Sequence, residues 1–94
     1  MLFQAAALGL LDRVDSSLAA NTVPLGEITG SFWHACRGGQ RETSQRLLEH
    51  GANINWIGWG ENTPLQAAEA SGNQDLIAWL RSQGAKSAQE LKPE

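Results

Sequence analysis

The chain repeats itself at a fixed interval. Set against each other, GSFWHACRGGQRETSQRLLEHGAN from Gly30 and TPLQAAEASGNQDLIAWLRSQGAK from Thr63 align at an offset of 33 residues without a gap. Phe32 falls on Leu65, Ala35 on Ala68, Gly39 on Gly72, Glu42 on Asp75, Leu47 on Leu80, and Gly51-Ala52 on Gly84-Ala85. A weaker copy, LFQAAALGLLDRVDSSLAAN, lies upstream at an offset near 30. In it Leu2, Ala5, Gly9, Asp12 and Leu18 take the places of Phe32, Ala35, Gly39, Glu42 and Leu48. A period of this length confines the chain to stacked supersecondary units, none of which can bury its apolar face without a neighbour.

Each copy reads as two short helices. The first is alanine-rich, spanning Leu2 to Leu8, Phe32 to Arg37 and Pro64 to Ala70, and it stops at Gly9, Gly39 or Gly72. Alanine permits close helix approach, and Pro64 suits a first helical turn. The second helix starts with Asp12, Glu42 or Asp75 near its positive dipole end. In the later copies it stops at Gly51 and Gly84, which are expected at C′ with positive φ. Leu76, Ile77 and Leu80 give the last copy an apolar helical face. The middle copy has Thr43 and Ser44 instead, which predicts a weakly driven helix. Thr22 to Thr29, with Pro24 and Gly26, reads as a loop. NINWIGWGEN, residues 53–62, reads as a hairpin-like turn leading to Thr63-Pro64. Two of the four tryptophans, Trp56 and Trp59, sit within this turn.

These residues resemble the ankyrin repeat, a unit of about 33 residues with a T-P-L-H-x-A signature. TPLQAA from Thr63 matches it with Gln66 in place of histidine; the middle copy departs at Ser31, Phe32 and Trp33. The resemblance covers nearly the whole chain. It implies an all-α fold: a short solenoid of stacked helix-turn-helix pairs joined by hairpin-like β-turns. Residues 1–94 form a single domain on this reading, with repeats near 1–29, 30–62 and 63–94. It also implies a protein–protein interaction module that grips its partner through hairpin tips and the concave first-helix face. Positions placed by resemblance on that face are Glu27, Arg37, Gly38, Trp59, Asn62, Ala70 and Ser71.

Composition narrows the alternatives. A net charge of −3 and a pI near 5.3 speak against nucleic acid, which requires a basic surface. No run approaches the length of a membrane span, and the N-terminal stretch lacks the cations of a secretory signal. One cysteine excludes an internal disulfide and suits a reducing compartment, here expected to be the cytoplasm. His34, Cys36 and His50 do not make a zinc site, and nothing orients a base for a Cys–His nucleophile. Cys36 is expected in the packing face and both histidines at the surface. The glycine-bearing turns lack the Gly-Lys-Ser/Thr of a phosphate loop. The reading is therefore a non-enzyme that takes no metal or cofactor.

The tryptophans divide by position. Trp33 and Trp79 are expected to be semi-buried on helices. Trp56 is expected at the base of the turn, partly buried. Trp59 belongs at the tip, either offered to a partner or folded back on Trp56 or Pro64. The ends of the stack differ as well. Arg81 stands where the middle copy has Leu48, which reads as a final repeat, and SAQE from Ser87 has capping-box spacing for a short closing helix. The first helix pair carries Leu2, Phe3, Leu8, Leu10, Leu11 and Val14. One neighbour covers only part of that set. Leu8, Leu10 and Leu11 are therefore expected to leave a patch for self-association. This is the second reading: a structural stack, either a homodimer or the C-terminal part of a longer array, without a dedicated ligand.

Overall fold

The computed structural model describes residues 2–20 and 22–91, in which seven α-helices follow one another. They are α1 (Leu2–Leu8), α2 (Leu11–Ala19), α3 (Leu25–Arg37), α4 (Arg41–Glu49), α5 (Pro64–Ser71), α6 (Gln74–Ser82) and α7 (Ala88–Leu91), with a 3-10 turn at Trp59–Glu61 before α5. The helices α1, α3 and α5 form one layer, with α3 packed on both the others. α2, α4 and α6 are the second members of the three pairs. The result is a short rod about 41 Å long and 24 Å by 22 Å across. Among the described residues there is no strand.

The core runs along the rod as a single cluster, because each repeat donates the same positions. Ala5, Ala35 and Ala68, at matched positions, are buried between first helices; on the second helices Leu47 and its counterpart Leu80 are buried, and Leu18 is buried at the place that Leu48 holds half-buried in the middle repeat. Small residues in the first layer let those helices lie close together. Phe32, Leu65 and Leu76 fill the larger spaces.

Polar groups repeat with the same period. Gln40 donates its side-chain amide to the Ala7 carbonyl (3.3 Å), and Asn73, thirty-three positions later, donates to the Gly39 carbonyl (2.9 Å). Each bond ties an inter-helix turn to the turn before it and satisfies a carbonyl at a helix end. Ion pairs follow a related path: Asp15 of α2 meets Arg46 of α4, and Arg41 of α4 meets Asp75 of α6 at 2.8 Å. Arg41 also lies over the Trp79 ring, 5.2 Å from its centroid. These groups are well exposed, so the pairs set register more than stability.

Gly51 and Gly84 adopt φ of 100° and 93°, the left-handed C′ conformation predicted from their place after the helix. The C-terminal cap also forms. The Ser87 amide donates to the Glu90 carboxylate (2.9 Å), and the Glu90 amide donates to the Ser87 hydroxyl (3.3 Å). Gln66, where the signature has histidine, joins that cap to its own repeat. Its carbonyl accepts from the amides of Thr63 and Ala88, both at 3.0 Å. Arg81 is exposed, 3.6 Å from the Glu69 carboxylate.

Three expectations need correction. The segment 22–29 is helical from Leu25 onward, so α3 is more than twice as long as read from the sequence. Pro24 is its N-cap, with φ −62° and ψ 149°, and the Pro24 carbonyl accepts from the amides of Glu27 and Ile28. Proline here starts a helix, where its missing N–H costs nothing. Second, α4 is as regular as its counterparts. Thr43 and Ser44 are buried, and the Ser44 hydroxyl donates to the Gln40 carbonyl at 2.7 Å. A small hydroxyl satisfied within its own helix fills a packing position as an apolar residue would. Third, His34 is half-buried among aromatic rings; His50 is exposed, as expected.

Candidate binding surface

The turn before α5 is built to hold Trp59. The Gly58 amide donates to the Asn62 carbonyl (2.8 Å), closing a five-residue loop. Inside it Gly60 and Glu61 take φ of 67° and 60° in succession. Two left-handed residues in a row turn the chain sharply and leave the Trp59 side chain on the first-helix side of the stack. The loop is pinned to α3 of its own repeat, since the Trp33 indole N–H donates to the Asn62 carbonyl at 3.0 Å.

Trp59 then meets four other rings. Centroid separations are 4.6 Å to His34, 5.1 Å to Trp33, 5.2 Å to Trp56 and 5.7 Å to Phe3, mostly edge-on. Such contacts contribute roughly 0.5–1.5 kcal/mol each beyond the area they bury. The cluster draws on the first two repeats: Phe3 on α1, Trp33 and His34 on α3, and the hairpin before α5. Gly30 makes room for it: a Cβ there would lie 2.7 Å from Phe3 Cζ and 3.4 Å from Trp59. The fold-back reading of Trp59 holds. It folds back on Trp56, yet it stays 45% exposed, with Ile57 beside it at 40%. Trp56 and Trp79 are partly buried as expected, and Trp33 is buried.

The seven positions placed by resemblance fall into two groups. Glu27, Trp59 and Asn62 lie at the hairpin end of the inner helices. Arg37 and Gly38 lie at the opposite end of α3, next to Ala70 and Ser71 at the end of α5, as shown by Gly39, whose Cβ would touch Ser71 at 3.4 Å. Glu27, Arg37, Gly38 and Ala70 are exposed; Asn62 and Ser71 are half-buried. Asn62 and Ser71 already serve the fold. The Ser71 hydroxyl donates to the Ala68 carbonyl (2.5 Å) and accepts from the Asn73 amide (3.2 Å). Sequence reasoning missed Phe3, His34, Ile57 and Glu61 as parts of this surface. Phe3 and Trp59 are 56 positions apart, and no periodicity links a helix residue to a loop residue.

A second exposed surface lies at the N-terminal end. Leu8 is 67% exposed and Leu10 39%, with Leu11 half-buried. Leu8 and Leu10 border an open groove of about 830 Å³ between α1 and α2, lined also by Leu2, Ala5 and Arg13.

The periodic core, the repeated turn-to-turn hydrogen bonds and the Thr63 capping box complete the picture. A family model described as ankyrin repeats, three copies, matches residues 2–90. The chain belongs to the ankyrin repeat family. Ankyrin repeats are generally protein–protein interaction modules, and the family is typically non-catalytic. A search among curated proteins returned no match. No helix among the described residues of this ankyrin chain is long and apolar enough to cross a membrane.

The chemistry of its reactive side chains fits the same description. Cys36 is fully buried between ankyrin helices, and burial pushes its thiol up to about 12, while the Ser44 hydroxyl 3.6 Å away pulls the other way. A thiol so rarely ionised is a poor nucleophile. Burial also lowers the pKa of His34. Among the described residues no three His, Cys, Asp or Glu side chains gather as a metal site.

Proposed function

We propose that residues 1–94 act as one protein-binding unit, with repeats near 1–29, 30–62 and 63–94, in the cytoplasm. The partner is held along the inner helices between the two groups, Glu27, Trp59 and Asn62 at one end and Arg37, Gly38, Ala70 and Ser71 at the other. The observation that supports this is Trp59, a ring braced on four sides and still 45% exposed. A tryptophan needed only as filler would be covered. Tryptophan and arginine are the residues that most often anchor interfaces, and Arg37 makes no ion pair among the described residues. The test is quantitative affinity capture from the native host, comparing the parent with Arg37→Ala and Trp59→Ala below their melting temperatures. Proteins bound by the parent are expected to fall about tenfold with each variant, the loss of one anchor of roughly 1.4 kcal/mol. An unchanged captured set would remove this face from the interaction.

A second reading has its own observation, the exposed Leu8 and Leu10. Clustered exposed apolar side chains mark contact surfaces when the patch is large enough, and a two-fold homodimer is the common way to cover one. Leu8→Lys with Leu10→Lys is expected to leave the melting temperature within a few degrees, because both side chains already face water. If the chain self-associates here, light scattering shows the double variant at half the parent's mass. Equal masses for the two proteins dismiss the patch as a self-association surface.

A further inference from the structure

The chemistry of the hairpin end is more specific than a general apolar anchor. We infer that the Trp59 face docks an arginine side chain carried on an apolar segment of the partner; this rests on the interaction-module reading above.

The ring itself is the first reason. Trp59 and Ile57 present exposed apolar surface, continued by half-buried Phe3, His34 and Trp56. Four ring contacts between 4.6 and 5.7 Å already fix the Trp59 indole. A fixed ring loses little freedom when a ligand stacks on it. Tryptophan is also the aromatic side chain that best attracts a cation to its face, and guanidinium is the cation that stacks flat.

Charge is the second reason. Glu61 belongs to the same three-residue turn as Trp59. Glu27 stands one helical turn before Gly30, the residue lying under Phe3 and Trp59. Both carboxylates are exposed, and neither has a hydrogen bond or ion pair among the described residues. Arg37 is ten residues further along α3, roughly 15 Å away at 1.5 Å per residue, beyond a Debye length in physiological salt. The hairpin end therefore combines an exposed tryptophan ring with two carboxylates that have no ionic partner among the described residues. An arginine flanked by apolar residues complements both; a carboxylate would be repelled and a neutral side chain would leave the acids unused.

Glu61 adds a further point in the same direction. It is the one non-glycine residue with positive φ among the described residues. Asparagine or glycine is more at ease there. The glutamate strains the turn while its carboxylate makes no hydrogen bond or ion pair among the described residues, as a side chain that serves an external partner would.

The probe is the peptide acetyl-Gly-Leu-Arg-Leu-Gly-amide, titrated into the 15N-labelled protein while the Trp59 indole N–H resonance is followed. Citrulline and glutamate versions serve as the neutral isostere and the opposite charge. The arginine peptide is expected to shift the Trp59 resonance and to bind at least tenfold more tightly than the citrulline peptide, with affinity falling as salt is raised. Glu27→Gln and Glu61→Asn are each expected to weaken it several-fold, and Glu61→Asn also to raise the melting temperature. Glu49→Gln, which removes the same charge from the end of α4, is expected to change neither. Equal binding of arginine and citrulline peptides overturns the inference, as does equal weakening by Glu49→Gln. If the peptides fail while capture from the host still depends on Trp59, the module reading survives with a different occupant. If the arginine peptide binds while capture ignores Trp59, the site stands and the module reading falls.

Discussion

Replacing Phe32 with alanine is expected to lower stability by about 3–5 kcal/mol, a large share of what a domain of this size holds. Phe32 is the largest of the fully buried side chains and sits in the cluster that runs through all three repeats. Its helix, α3, packs on both α1 and α5. A middle helix has an interface on either side, so a cavity there weakens two couplings, while a truncation in an end repeat weakens one. Domains of this size hold only about 5–15 kcal/mol in total. Thermal unfolding followed by circular dichroism tests the size of the effect: a fall on the order of 15 °C or more is expected. Leu2→Ala, in the first repeat, supplies the comparison and is expected to cost less. A Phe32→Ala protein that melts within about 5 °C of the parent would contradict a loss of even 1–2 kcal/mol, and with it the central place given to this side chain.

Much of this arrangement was legible before any coordinates, because it is carried by spacing. Alanines at a fixed interval mark the close-packed first layer. Glycines at a fixed interval mark the turns, since Gly51 and Gly84 sit where L side chains are strained. What spacing does not carry is tertiary compensation. Pro24 and Gly26 look like breakers in isolation, and Gly30 looks like a further weakness in any helix. Yet α3 runs through 25–37 because Ile28, Thr29, Ser31 and Phe32 are buried along it. Packing there outweighs the low helix propensity of two glycines, roughly 1 kcal/mol each. Thr43 and Ser44 misled for a related reason: a hydroxyl that bonds to its own helix counts as small and nearly apolar, which composition alone does not reveal.

The candidate surface was less legible than the fold. Trp59 was placed at the tip with two outcomes left open; the structure folds it back on Trp56 and leaves part of the ring exposed. Glu27 and Arg37 came from the repeat pattern alone. Phe3 came into contact with Trp59 only through stacking of the first repeat on the second, over Gly30, and His34 only because the hairpin folds back along its own α3. Glu61 carried no sequence signal, because its informative property is a backbone angle. Asn62 and Ser71 show the converse: both match the pattern of contact residues while their polar groups already serve the hairpin and the α5 terminus.

Gly38→Ala is expected to destabilise the chain by about 1–3 kcal/mol, the usual range for overpacking, although nothing about its own backbone forbids a side chain. Its dihedral angles, φ −82° and ψ 0°, are ordinary right-handed values. On that ground alone alanine would stabilise by about 0.4–1 kcal/mol, through a less flexible unfolded chain. The opposing effect is contact. A Cβ at this position would overlap the Ala7 carbonyl oxygen and lie 3.1 Å from its carbon. The obstacle is backbone at the end of α1, which cannot rotate aside as a side chain could. The Ala7 carbonyl also accepts the hydrogen bond from Gln40 that ties the first two repeats together. Moving α1 away therefore strains that bond and loosens Phe3 against Trp59, so the overlap wins. Gly26→Ala is the control: it is also helical, and its Cβ would meet nothing within 4 Å. That variant is expected to gain roughly 0.5–1 kcal/mol from helix propensity. Urea denaturation of the two proteins should thus give changes of opposite sign, and tryptophan fluorescence should shift to the red only in Gly38→Ala. If both variants gain stability, α1 and α3 do not approach as closely as the structure places them. If the expected loss is seen, Gly38→Ala is also unsuitable as a probe of partner binding, because it moves Phe3 and the Trp59 cluster before any partner arrives.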